Sequence, residues 1–307
     1  MKIIILSPNA DTLFTAEQYK KLESLGETLF VKEIKPFAEI EELFTEGEKV
    51  IAIDPDFCDW KVPNEVIDKI PDLKAICLQT TSFSWIDIDH AKEKGIPVMN
   101  LRGFSTEAVA EWAFLMALNV ARKIPLVAKD NWGQDYDTHK GMELKGKTAG
   151  IVGLGRIGSR IAELCEGFGM NVVYWSKNSK SEKYKHIELA ELMKNSDLIF
   201  PVLAQNKETQ GLITDDLLRS MQPKAIFVSV VHHVYNHDLL LELVKNGSIY
   251  GYAFEEDGGK VFDKFEGNVY ASPALAWCTV DSLRKNAEQW VESISKAVVA
   301  NYETRVN

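Results

Sequence analysis

Cysteine is scarce: four occur in 307 residues, Cys58, Cys77, Cys165 and Cys278, and no two form a C-x-x-C pair. That argues against a disulfide scaffold and the usual zinc spacings, so no metal site is expected. It is the usage of free thiols in a reducing compartment, here the cytoplasm. Long apolar runs are missing too. No stretch approaches the roughly 20 residues of a membrane helix. The opening run from Ile3 to Leu6 is too short for the apolar region of a secretory signal. Basic charge is in deficit, with 35 Lys and Arg against 45 Asp and Glu, a net charge of −10. Phosphate backbones are bound by clustered cations, so neither nucleic acid nor a membrane surface is an expected partner. Internal repeats and low-complexity linkers are absent as well, so any joins between domains are short.

What remains is ordinary globular material, 46% hydrophobic and 26% charged. At roughly 100–200 residues per domain, the length suits two domains. Short β-branched runs alternate with helix-like segments. Lys2 to Leu6 ends in Ser7-Pro8-Asn9, and a helical stretch from Ala16 to Leu25 follows. Further strand-like runs are Val50 to Ile53, Ala75 to Leu78 and Ile96 to Met99, the last preceded by a Lys94-Gly95 helix stop. From Thr148 a second alternating series begins, with runs at Ala149 to Val152, Val172 to Trp175, Leu198 to Pro201 and Ala225 to Val231. Leu283, Ala287, Val291, Ile294 and Val298 recur at helical spacing and mark an amphipathic closing helix. The expectation is an α/β fold with doubly wound parallel sheets.

Ser105 to Lys123 is different: Ser105 can cap, Glu107 suits a first turn, and Val109 to Leu118 is apolar almost throughout. Such a helix is covered on more than one side, either as a central core helix or as a subunit interface.

The strongest local signal is Gly150-Ile-Val-Gly153-Leu-Gly155-Arg-Ile-Gly158, which follows a strand run and opens a helix. That context is what a dinucleotide fingerprint requires. Gly153 would permit the tight turn, Gly155 the approach of a pyrophosphate, and Gly158 close packing of helix on strand. A carboxylate near the end of the next strand would bind the ribose hydroxyls of NAD. Here that place holds Ser176, followed by Lys177 and Asn178, with Lys183 and Lys185 nearby. These residues favour a 2′-phosphate, so NADP(H) is expected over NAD(H).

Five segments together resemble the D-isomer-specific 2-hydroxyacid dehydrogenase family. They are Ser105-Thr-Glu-Ala-Val-Ala-Glu111, Leu144-Lys-Gly-Lys147 through Gly158, Glu208-Thr209-Gln-Gly-Leu-Ile213, Met221-Gln-Pro-Lys-Ala-Ile226 and Lys245-Asn-Gly247. The resemblance implies a Rossmann cofactor domain of residues 101–274, inserted into a flavodoxin-like substrate domain of residues 1–100 plus 275–307, with a cleft between them. It implies a homodimer through Ser105 to Lys123. It also sets Thr106, Arg156, Ile157, Leu203, Thr209, Val230 and Glu255 along the cofactor, with Glu255 in place of an Asp that would hold the nicotinamide amide.

In the family an Arg binds the substrate carboxylate, a His protonates the carbonyl oxygen, and a Glu raises that His pKa. This sequence departs from the pattern. His232 or Val231 falls at the Arg position, in a loop about one residue shorter than the family's. Ala274 follows Pro273 where the His belongs, and the Glu falls near residues 258–260. The substrate loop reads Thr80-Thr81-Ser82-Phe83-Ser84-Trp85 in place of a glycine turn. Besides an ordinary dehydrogenase of the family, in which a shifted loop would bring in Arg284 or Lys260, two readings stay open. One is an NADP(H)-preferring oxidoreductase acting on a CH–OH or carbonyl substrate through a rewritten site. It would use His232 and His233, with His237 as a further candidate acid, and bind substrate with Thr81, Ser82, His232 and Trp277. The other is a non-catalytic dinucleotide-binding sensor or partner subunit, with Trp277 filling the substrate space.

Overall fold

The computed structural model describes every residue except 205, 207, 232–233 and 257–263, and only the backbone of 256. The chain divides into two compact units, Met1–Ser105 with Val280–Asn307, and Thr106–Thr279. The breaks fall five residues after residues 100 and 274. Leu101 and Phe104 are buried in the first unit's core. The turn after residue 274 is tied to the second unit through the Ala276 N–H.

The first unit holds β1 (Lys2–Leu6), β2 (Glu27–Val31), β3 (Lys49–Ile53), β4 (Leu73–Leu78) and β5 (Val98–Met99) in the order β2-β1-β3-β4-β5. All four pairings are parallel. After Lys2, β1 is apolar because both of its faces are covered. Ile3 and Ile5 enter one core cluster while Ile4 and Leu6 enter the other. The closing helix, Val280–Val298, lays Ala287, Trp290, Val291 and Ile294 on the first of these faces. Trp290 is fully buried, and its indole N–H donates to the Cys77 carbonyl at 3.1 Å.

One buried charge stands out. Lys49 has no solvent exposure, and its Nζ donates to the carbonyls of Thr45, Gly47 and Pro71 at 2.7, 2.8 and 2.7 Å. Burial lowers its pKa. The ammonium pins the loops leading into β3 and β4. Lys49→Met should cost about 2–4 kcal/mol, because three carbonyls lose a charged donor. Urea unfolding checks this, and a change below about 0.5 kcal/mol would contradict it.

The second unit holds β6 (Thr148–Val152), β7 (Asn171–Trp175), β8 (Lys185–His186), β9 (Leu198–Pro201), β10 (Ile226–Ser229), β11 (Gly251–Glu256) and β12 (Val269–Pro273). Their order is β12-β11-β10-β9-β6-β7-β8, again with parallel pairings. The helix Thr106–Ala121 packs on this sheet through Ala110, Ala113, Phe114, Met116, Ala117 and Val120. Its outer side shows Leu115, 43% exposed, and with Leu118, Asn119, Arg122, Ile124, Val127 and His139 it lines a shallow groove.

Cys77 and Cys165 are buried, and burial pushes both thiols up to about 12; Cys278 is exposed. Among the described residues, no helix is long and apolar enough to cross a membrane, and no cluster of His, Cys, Asp and Glu is arranged to hold a metal ion.

Candidate dinucleotide site

The glycine turn lies at the carboxyl end of β6, the middle strand of β9-β6-β7. Gly153 has φ +103°, which only glycine adopts without strain, and its N–H donates to the Trp175 carbonyl at 2.8 Å. A Cβ on Gly153 would lie 2.8 Å from the Val202 carbonyl oxygen and 3.0 Å from the Leu203 side chain. A Cβ on Gly158 would lie 2.0 Å from the Gly153 carbonyl oxygen, so helix and turn touch there. Gly155 behaves differently: a Cβ would meet nothing within 4 Å. It points into open space at the N-cap of the helix Arg156–Gly167, and no side chain caps that helix. The first-turn N–H groups, beside exposed Arg156 and half-buried Ile157, thus have no side-chain cap and lie next to the open space at Gly155. That is the shape and polarity a pyrophosphate requires, so the chain's own residues fit the dinucleotide.

Two loops flank the turn. After β7, the Ser176 hydroxyl accepts the Ser179 N–H at 3.2 Å, and Asn178 is exposed. Lys177 Nζ lies 2.7 Å from Glu208 Oε2, on the loop after β9. Lys177 holds the Glu208 carboxyl below its ordinary pKa. Thr209 closes its own turn, donating to the Ala204 carbonyl at 2.6 Å. Lys183 is paired with Glu166, so the positive charge of this region is partly neutralised.

Half-buried Val230 follows β10, where the Ser229 hydroxyl donates to the Val231 carbonyl at 2.8 Å. His232 and His233 lie outside the described residues, as do residues 258–260. His237 is a packing residue: its Nδ1 is 3.0 Å from the Tyr252 hydroxyl, and its ring stands 4.6 Å from that of Phe254. Burial raises the pKa of neighbouring Tyr235, whose hydroxyl is 2.8 Å from that of Tyr252. Glu255, near the end of β11, is only 7% exposed, and its Oε1 accepts the Ala276 N–H at 2.7 Å. This carboxylate fixes the turn carrying half-buried Ala274 and Trp277, the latter 45% exposed. Thr106 is the first residue of its helix and half-buried.

Within the first unit, Thr81 and Ser82 are exposed on the loop after β4. That loop is anchored by buried Trp85, whose Nε1 donates to the Ser82 carbonyl at 3.0 Å. Asn100 also holds it, donating to the Thr81 carbonyl at 2.7 Å. Beside it, the Ser7 hydroxyl donates to buried Asp54 at 2.7 Å, and the Gln79 amide reaches the same carboxylate at 3.0 Å. Burial raises the Asp54 pKa.

Comparison with known proteins agrees with this geometry. Residues 114–256 match the model of the D-isomer specific 2-hydroxyacid dehydrogenase, NAD binding domain. A glyoxylate reductase of Thermococcus litoralis is 32% identical over 259 residues, 78% of this chain and 77% of its own. Among solved structures, an acyclic imino acid reductase (Bsp5) in complex with NADPH and D-Arg aligns with TM-score 0.85 and 25% identity, covering 100% of both chains. A D-lactate dehydrogenase from Aquifex aeolicus, complexed with NAD and lactic acid, aligns with TM-score 0.78 and 26% identity over 99% of this chain and 97% of its own.

Proposed function

Because this chain belongs to the D-isomer-specific 2-hydroxyacid dehydrogenase family, we propose that it is an NAD(P)-dependent oxidoreductase of a small 2-oxo acid or a close relative of one. The observation that carries this reading is the clear space at Gly155 beside uncapped N–H groups. A bound nicotinamide dinucleotide supplies a hydride. Gly155, Arg156 and Ile157 would meet its pyrophosphate, over the turn that Gly153 and Gly158 shape. Ser176, Lys177 and Asn178 meet the ribose end, and because position 176 lacks a carboxylate the preference goes to NADP(H). Thr106, Leu203, Thr209, Val230 and Glu255 border the rest. The groove on the outer side of Thr106–Ala121 is where two copies would meet, and four free thiols suit a reducing compartment, the cytoplasm.

The acid–base half of the site is rewritten in this reading. Ala274 has no proton to give, and His232, with His233 next to it, stands in for the Arg. Thr81, Ser82 and Trp277 contact substrate. A missing acid costs a carbonyl reduction roughly 10²–10⁴ in rate. A protonated C=N bond carries no such cost: hydride adds to carbon, the π electrons pass to the already protonated nitrogen, and a neutral amine results. Ala274 therefore favours a substrate formed from a 2-oxo acid and an amine, and the NADPH-bound relative named for imino acid reduction supports that choice. The test is NADPH binding by fluorescence together with NADPH consumption across 2-oxo acids, 2-oxo acids with amines, and neutral aldehydes. Binding with turnover of an acid-derived substrate is the expected result. Binding without turnover of any would overturn it in favour of a sensor.

A further inference from the structure

We propose that Lys177 and Glu208 form a cofactor-selecting bridge across the adenosine end of the crevice, Lys177 acting for a 2′-phosphate and Glu208 against it. This rests on the reading that the Gly153–Gly158 turn holds a nicotinamide dinucleotide. The sheet order β9-β6-β7 sets β6 and its glycine turn between the two loops. Lys177 follows β7 and Glu208 follows β9, and their charged atoms are 2.7 Å apart. The pair therefore crosses over the carboxyl end of β6. Trp175 on one side and Val202 on the other touch Gly153, which forms the floor.

Glu208 is presented by a built turn. Its N–H donates to Asn206 Oδ1 at 2.9 Å, and the next residue's hydroxyl closes on Ala204. Both charged side chains stay open to solvent, at 64% and 71% exposure, so an entering ligand reaches them. A ribose with a free 2′-hydroxyl leaves the pair intact. A 2′-phosphate draws Lys177 toward itself and stands beside the Glu208 carboxylate, which competes for the ammonium and repels the phosphate. The anion missing at Ser176 is thus present on the opposite loop, 32 positions along the chain.

The wild-type protein, Glu208→Gln and Lys177→Met are each titrated with NADPH and with NADH, at low salt and in 1 M KCl. Glu208→Gln should tighten NADPH about threefold to tenfold and leave NADH within about twofold. Lys177→Met should weaken NADPH by a similar factor and lower the ratio of NADPH to NADH affinity. Both differences should shrink in 1 M KCl, where screening reaches within about 3 Å. Glu208→Gln weakening NADH with no gain for NADPH would overturn the proposal and make Glu208 a ribose acceptor. Unchanged NADPH-to-NADH ratios in both variants would also overturn it, while leaving the dinucleotide reading in place. A wild-type protein that binds neither dinucleotide would overturn that reading, and this one with it.

Discussion

Gly155→Asp should abolish NADPH binding while leaving thermal stability unchanged or raised. Gly155 is the N-cap of Arg156–Gly167, and no side chain serves the free N–H groups there. Aspartate is among the best N-cap residues, and a carboxylate at a helix N-terminus is favourable. Its Cβ would meet nothing within 4 Å, so the fold has room for it. The same carboxylate would occupy the space reserved for the pyrophosphate and repel it. Lost hydrogen bonds to a charged group cost about 1.5–3 kcal/mol each, and losing two predicts at least a 100-fold weaker Kd. Gly158→Ala is the contrasting variant, since its Cβ would lie 2.0 Å from the Gly153 carbonyl oxygen. That change should lower Tm and affinity together. Scanning calorimetry and NADPH fluorescence separate the two. Normal NADPH affinity in Gly155→Asp would move the cofactor away from this turn.

Ala274→His should raise reduction of a 2-oxo acid at least tenfold, toward the roughly 10²–10⁴ that a positioned general acid contributes. Ala274 directly follows β12, whose Pro273 is in register with Glu256, and the turn beyond is fixed by the Glu255 carboxylate on the Ala276 N–H. Position 274 is half-buried, so a histidine side chain there keeps a route to solvent. The new activity should need a protonated histidine, so its rate should fall as pH rises through about 6.5. A preformed iminium substrate should gain nothing, since its nitrogen is already protonated. No gain with the oxo acid, from variant protein that binds NADPH normally, would mean that position 274 does not face the reacting carbon.

Much of the fold was legible because its determinants are local. β1 and β6 are short β-branched runs buried on both faces, and Val280–Val298 repeats apolar residues at helical spacing. In the glycine turn, Gly153 and Gly158 show the contacts that a tight turn and close packing require, while a Cβ on Gly155 would meet nothing within 4 Å. β8 is too short to leave a periodic trace. Charge was harder to read. The basic stretch after β7 looked like free positive charge, yet Lys177 and Lys183 are each paired with a carboxylate distant in sequence, Glu208 and Glu166. Asp54 meets Ser7 across 47 positions. His237 has the chemistry of an acid, but its ring packs against Phe254 and its Nδ1 meets the Tyr252 hydroxyl. Pairings of this range are set by sheet order, which no local pattern reveals.

The proposal that a family cofactor site is joined to a centre without the usual proton donor is tested most directly by one comparison on the wild-type protein. NADPH oxidation is followed with glyoxylate alone and with glyoxylate plus excess methylamine at the same pH. Slow oxidation alone, and a rate roughly 100-fold or more higher with the amine, is the predicted result. Equal and rapid oxidation in both would contradict it, because the protein would then possess a proton donor for the carbonyl.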